Sequence, residues 1–114
     1  MYGRIVTANA EVKEIHFGGC GYFSLYLFDA LQADSIGCKI VVTGSETIPE
    51  HVMLQTEYGY VDSWGIWTGI GKAAFSKFKS RTITRGELVN LIKLPGWNDS
   101  FNLADTTSLK SILQ

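Results

Sequence analysis

The residues best suited to chemistry lie in one short basic segment that also carries aromatic rings. Residues 69–85 read GIGKAAFSKFKSRTITR, and the side chains of interest are Lys72, Phe75, Lys77, Phe78, Lys79, Arg81 and Arg85. Lysine and arginine neutralise phosphates, and aromatic faces stack on bases, so this mixture is typical of a nucleic-acid-binding surface. The alternative is a solvated basic helix whose two phenylalanines belong to the core.

The positive charge of the chain is concentrated in this segment. The net charge of the 114 residues is −1. Residues 72–93 nevertheless hold six Lys and Arg against one Glu, whereas residues 1–71 hold three against eight Asp and Glu. Such asymmetry is information about partners rather than about fold.

Groups for catalysis or metal binding are sparse. His16 and His51 are the only histidines, and Cys20 and Cys38 are the only cysteines. No Ser or Cys stands at a recognisable triad spacing from either histidine, and the cysteines lack the spacing of a metal site. A Cys20–His16 pair across a predicted hairpin is the one enzymatic alternative. We therefore expect a protein that is not an enzyme and that uses no metal or cofactor.

The first two-thirds of the chain has the pattern of β-strands. Apolar residues alternate over 3–17, with a phase slip that suggests a bulge, and again over 22–29. The glycine-rich residues 18–21 between them predict a turn, and so a hairpin. Further strands are predicted at 38–43, 51–61 and 64–68.

Helices are predicted only after residue 69. Residues 72–79 are compatible with a short helix. Thr84 and Glu87 have the spacing of a capping box at the start of a helix over 84–94, and residues 101–113 predict a last helix.

These elements predict a single α+β domain that is mainly β. A five-stranded barrel over 1–68 would be followed by a helical appendage of two or three short helices over 69–114. The small barrel that recurs at this size is the OB-fold, which commonly holds oligonucleotides. Tyr22 and Tyr26 would then stand on a strand face where rings can stack on bases.

Composition places the chain among globular proteins. Hydrophobic residues make up 46% and charged residues 18%. The longest apolar runs are too short to cross a bilayer, and the N-terminus lacks the apolar stretch of a signal peptide. We expect free thiols, no membrane association and a cytoplasmic location.

Two sets of short motifs resemble DNA-processing families. Residues 3–4 (Gly-Arg) and 19–22 (Gly-Cys-Gly-Tyr) resemble the OB domain of the RuvA family, the Holliday-junction-binding subunits of a branch-migration motor. Residues 87–97 resemble a helix leading into a helix-hairpin-helix turn. Residues 52–65 are similar to the OB domain of RecD-like helicases. The resemblance implies a DNA-binding barrel.

We therefore expect a non-catalytic nucleic-acid-binding protein or DNA-processing accessory factor, with single-stranded or branched DNA as its ligand. The alternative is a small protein-interaction module, such as an inhibitor or adaptor encoded by a phage or mobile element. The net charge and the acidic strand region favour that alternative. A homodimer formed through an open sheet edge is also compatible with the pattern.

Overall fold

The computed structural model describes residues 2–11, 19–44, 49–67, 79–94 and 103–113. In chain order the elements are helices α1 (Tyr2–Glu11) and α2 (Cys20–Ala33), strands β1 (Cys38–Gly44), β2 (Pro49–Thr56), β3 (Gly59–Asp62), β4 (Gly65–Trp67) and β5 (Ser80–Ile83), and helices α3 (Arg85–Ile92) and α4 (Leu103–Leu113). The described chain is thus an α+β fold with four helices and one antiparallel sheet.

The five strands form one sheet in the order β4-β3-β2-β1-β5, and every pairing is antiparallel. β1 lies between β2 and β5, and its register places Thr43 opposite His51 on one side and Ser80 on the other. The described strands show no pairing between β4 and β5. The closed barrel predicted from the sequence is therefore not shown.

The first two predicted strands are wrong, because both segments are helical. α1 occupies residues 2–11 and α2 occupies residues 20–33, so the predicted hairpin does not form. In α2 the buried Phe23, Leu27 and Leu31 recur every four residues, which is the period of one helix face. Leu25 is buried as well, so α2 is apolar on more than one face. The sequence pattern of such a helix does not distinguish it from a strand.

The later strand predictions agree better with the structure. Strands at 38–43 and 64–68 are confirmed as β1 and β4, but the single strand predicted over 51–61 is the hairpin β2–β3. The chain turns at Glu57 and Tyr58, and Gly59 follows with a φ of +125°, a value that favours glycine. Thr56 fixes this turn, because its hydroxyl donates to the carbonyl of Gly59 and accepts from the N–H of Tyr58.

The main core lies between the sheet and the helices. α2 contacts β1, β2 and β3 on one side and α3 and α4 on the other. Strand side chains of this core are Ile40, Val42, Val52, Leu54, Val61 and Ile83. The opposite face of the sheet carries a smaller cluster of Val41 and Met53, with Tyr60 and Trp67 packed against it.

The predicted C-terminal helices are confirmed as α3 and α4, whereas the predicted helix over 72–79 lies outside the described residues. Thr84 caps α3 with its side chain, and Glu87 returns the bond to the N–H of Thr84, so the capping box is present. Among the described residues, no helix has the length and apolar character needed to span a membrane.

Candidate active site

Cys20 is the first residue of α2, where the helix meets the sheet. Gly19 precedes it as N-cap, and its carbonyl accepts the first helical bond from the N–H of Phe23 at 2.8 Å. One turn further on, the buried hydroxyl of Ser24 donates to the carbonyl of Val52 on β2 at 3.3 Å. This bond holds the first turn of α2 against the strand segment that carries His51.

A buried pair of titratable side chains lies on that part of the sheet. His51 on β2 and Asp62 at the end of β3 are each 1% exposed, and Nε2 of His51 lies 3.0 Å from Oδ2 of Asp62. The β2–β3 register pairs Leu54 with Val61, so His51 and Asp62 fall on the same face of the sheet. Their contact therefore follows from the geometry of the hairpin.

Cys20 contacts the same imidazole. Its side chain lies close enough to His51 to raise the pKa of the imidazole. The three side chains therefore stand in the order thiol, imidazole, carboxylate.

Opposing effects act on the protonation of His51. Burial disfavours the imidazolium and would lower the pKa of His51. The hydrogen bonds to Asp62 and then to Cys20, together with the negative charge of both groups, outweigh burial and raise that pKa to about 9. At neutral pH the imidazole is therefore held in its protonated, cationic form.

Asp62 is itself fixed by two donors from the following residues. Its Oδ1 accepts from the backbone N–H of Trp64 at 2.9 Å and from the indole Nε1–H of Trp67 at 3.0 Å. The other oxygen, Oδ2, is left for His51. Each oxygen of this buried carboxylate thus has a partner, and its orientation is determined.

The arrangement of these three side chains is typical of sites for nucleophilic catalysis. A thiol lies beside an imidazole, and the imidazole is oriented by a third group, which is how such sites are recognised on unrelated folds. The site combines Cys20 from a helix with His51 and Asp62 from a hairpin.

The residues predicted to bind nucleic acid are not gathered in one described surface. Lys72, Phe75, Lys77 and Phe78 lie outside the described residues. Lys79 is exposed immediately before β5, and Arg81 is half-buried on that strand. Nε of Arg81 is buried without a hydrogen-bond partner among the described residues. Arg85 begins α3 and makes a two-pronged ion pair with Asp29, at 2.8 and 2.9 Å.

Tyr22 and Tyr26 lie on a helix rather than on a strand. They are four residues apart on α2, with ring centroids 6.0 Å apart and planes inclined by 35°. Both are half-buried and pack against the main core. Burial raises the pKa of Tyr26, with smaller contributions from Tyr22 and Asp29. The prediction that these two rings stand on a strand face is therefore wrong.

The sequence does not predict the association of Cys20 with His51 or Asp62. The predicted partner of Cys20 is His16, which lies outside the described residues, and the hairpin turn predicted at Cys20 is a helix start in the structure. Two signals were available. Gly19-Cys20-Gly21 stands directly before an apolar run of helical length, and a histidine precedes an aspartate across one hairpin.

In comparisons of sequence and structure, no family model, curated protein or solved structure matches this chain. The resemblance to the RuvA and RecD-like families stays a prediction. The case for a function therefore depends on the geometry of the site.

Proposed function

We propose that this protein is a cysteine-dependent acyl-transfer enzyme, with hydrolysis of an amide, ester or thioester as its reaction class. Cys20 is the nucleophile, His51 the general acid and base, and Asp62 the group that orients His51. One observation carries the proposal: a buried imidazole has a carboxylate 3.0 Å from one nitrogen and lies beside the thiol at the start of a helix. This function differs from the non-catalytic role that the sequence favoured.

The proposed reaction begins from a thiolate–imidazolium pair. The thiolate of Cys20 attacks the substrate carbonyl carbon and a carbon–sulfur bond forms. His51 then gives its proton to the leaving group as the carbon–nitrogen, carbon–oxygen or carbon–sulfur bond breaks. In the second half, neutral His51 takes a proton from water, the resulting hydroxide attacks the thioester, and Cys20 departs as thiolate. Asp62 stabilises the imidazolium throughout without taking the proton.

The start of α2 supplies the electrostatic part of the proposal. The N–H groups of the first helical turn have no partner within the helix, and the helix dipole places partial positive charge there. A substrate carbonyl attacked by Cys20 would develop its oxyanion beside the N–H groups of Cys20 and Gly21. Donors held in place in this way stabilise tetrahedral intermediates.

The alternative is that His51 and Asp62 are a purely structural ion pair. Burying two charges costs desolvation free energy, and a well-packed apolar pair often stabilises a fold as well as a buried ion pair does. A structural role also gives no reason for a thiol beside the imidazole. The presence of Cys20 there favours catalysis.

The test is the rate at which iodoacetamide alkylates each cysteine between pH 5 and pH 9, measured by mass spectrometry. Cys38 is an internal reference, because burial raises the pKa of its thiol against the opposing effect of a hydrogen bond from Gln32. We expect Cys20 to react about tenfold faster than Cys38 at pH 6, because Cys20 has the imidazole of His51 beside it whereas the pKa of the Cys38 thiol is raised by burial.

The matched variant is His51→Ala, which should reduce the rate at Cys20 to that of an ordinary thiol and leave Cys38 unchanged. If Cys20 reacts with the same pH profile in both proteins, the proposed chemistry is wrong. A panel of acyl ester and peptide amide substrates, assayed with wild type and Cys20→Ala, would then define the substrate class.

Nucleic-acid binding by the basic segment is a second candidate, supported by the exposed Lys79 and by the unpartnered Nε of Arg81. An OB-like barrel, a protein partner and a cytoplasmic homodimer also stay predictions from the sequence. Fluorescence anisotropy of labelled single-stranded, duplex and four-way-junction DNA at two salt concentrations tests the candidate. Reversing the charges of Lys77, Lys79 and Arg81 should abolish salt-sensitive binding, and binding that survives this change excludes the segment.

A further inference from the structure

One peptide unit lies between α1 and the candidate active site. The carbonyl of Ser63 accepts a hydrogen bond from Nδ2 of Asn9 on α1 at 2.8 Å. The N–H of Trp64, which belongs to the same peptide unit, donates to Oδ1 of Asp62 at 2.9 Å. Because the carbonyl and N–H of a trans peptide point in opposite directions, Asn9 and Asp62 bind its two sides.

The hydrogen bonds continue through the site. Oδ2 of Asp62 is 3.0 Å from Nε2 of His51, and the thiol of Cys20 lies beside the same imidazole. Hydrogen bonds in a chain polarise one another, so a donor to the Ser63 carbonyl strengthens the N–H of Trp64 as a donor to Asp62. Asn9 therefore acts on Asp62 without touching it.

α1 is well anchored and can hold Asn9 in place. Ile5 is 1% exposed and Ala8 is fully buried in the main core. Arg4 donates to the carbonyl of Leu113 at 3.5 Å and lies 3.9 Å from the carboxylate of Asp34. The amide of Asn9 is thus presented to the β3–β4 turn from a helix that is held against the core and α4.

We propose that Asn9 is a positioning residue for the His51–Asp62 pair, acting through the Ser63–Trp64 peptide, and that α1 thereby forms part of the active site. The catalytic consequence rests on the proposed function. Without the Asn9 bond, the turn that holds Asp62 is less firmly fixed, and Asp62 makes a weaker hydrogen bond to His51. Among the described residues, Asp62 and Cys20 are the titratable groups that act on the imidazole.

The test compares wild type with Asn9→Ala, which favours helix and removes the donor, and with Asn9→Leu, which keeps a side chain of similar size, has no donor and adds no charge. Thr7→Ala is the matched control, because the Thr7 hydroxyl donates to the Gly3 carbonyl of its own helix. NMR titration of the His51 ring and hydrogen exchange at the Trp64 N–H are measured in each protein. These readouts do not depend on any substrate.

We expect both Asn9 variants to lower the pKa of His51 by about half a pH unit and to speed exchange at Trp64 about 3- to 10-fold, the ratio for one net hydrogen bond. Thr7→Ala should change neither. Cys20 alkylation by iodoacetamide should slow by a similar ratio in the Asn9 variants.

An unchanged His51 titration and unchanged Trp64 exchange in both Asn9 variants would overturn the inference, whatever the behaviour of Cys20. If both readouts shift while alkylation of Cys20 is the same in wild type and His51→Ala, Asn9 does position the pair, and it is the proposed chemistry that fails. The two failures are therefore distinguishable.

Discussion

At the scale of the residue, the unusual group is the carboxylate of Asp62. A buried carboxylate is stable only when its charge is compensated and its oxygens accept hydrogen bonds. Asp62 meets both conditions through His51 on one oxygen and the donors from Trp64 and Trp67 on the other. Trp67 is thus a polar contact of the site although it also packs against the apolar cluster of Val41 and Met53.

Replacement of Trp67 by Phe tests how much the indole N–H donor contributes to the free energy of unfolding. Trp67→Phe keeps an aromatic ring in the cluster but leaves Oδ1 with one donor, so we expect the free energy of unfolding to fall by about 1–3 kcal/mol. Urea denaturation measures this change. Tyr58→Phe is the control, because Tyr58 is 61% exposed and its replacement should cost less than about 0.5 kcal/mol. Equal losses in the two variants would mean that the indole N–H does not support Asp62.

At the scale of the element, local signals predicted what local interactions determine. The capping box of Thr84 and Glu87 was predictable because both bonds are made within four residues. Strand β1 was predictable because it is rich in β-branched residues, which favour strands. α2 was not, because its helical state depends on burial between the sheet and the other helices, which a single sequence does not display.

Local sequence patterns do not predict the candidate site either. Its thiol follows a glycine at a helix start, and its imidazole and carboxylate are separated by ten residues and one unpredicted turn. The pairing of β2 with β3 brings His51 to Asp62, and the packing of α2 on β2, with the Ser24–Val52 bond, brings Cys20 to His51. Tertiary contacts of this kind leave no fixed spacing in the sequence.

Removal of the α3 cap provides a test at this scale. Thr84→Ala loses the side-chain acceptor for the N–H of Glu87, and we expect a loss of about 1 kcal/mol in the free energy of unfolding. Ser108→Ala removes an exposed hydroxyl within α4 and should be neutral or slightly stabilising, since alanine favours helix. Urea midpoints of both variants at unchanged m-value give the comparison. A Thr84→Ala midpoint equal to that of wild type would show that the capping box contributes nothing to stability.

At the scale of the whole molecule, the distribution of charge differs from what the sequence suggested. Arg85, counted in the basic segment, is bound to Asp29 and so joins α3 to α2. The hydrogen bond and charge of Asp29 raise the pKa of Arg85. In the described interior, His51 and Asp62 form a buried pair of opposite charges. The pH dependence of folding should therefore follow His51.

The sign of that dependence is fixed by the raised pKa of His51. The folded protein holds the imidazole proton up to about pH 9, whereas the unfolded chain releases it near 6.5. Stability from His51 is therefore fully present below pH 6.5 and is lost as the pH rises through 9, by at most about 3 kcal/mol. Urea denaturation at intervals of half a pH unit measures how the free energy of unfolding changes with pH.

The control is the double variant His51→Gln with Asp62→Asn, which replaces the charged pair with two amides that can still hydrogen-bond. Its free energy of unfolding should be nearly independent of pH over the same interval. If the double variant shows the same pH dependence as wild type, that dependence arises from other titratable groups and not from the His51–Asp62 pair.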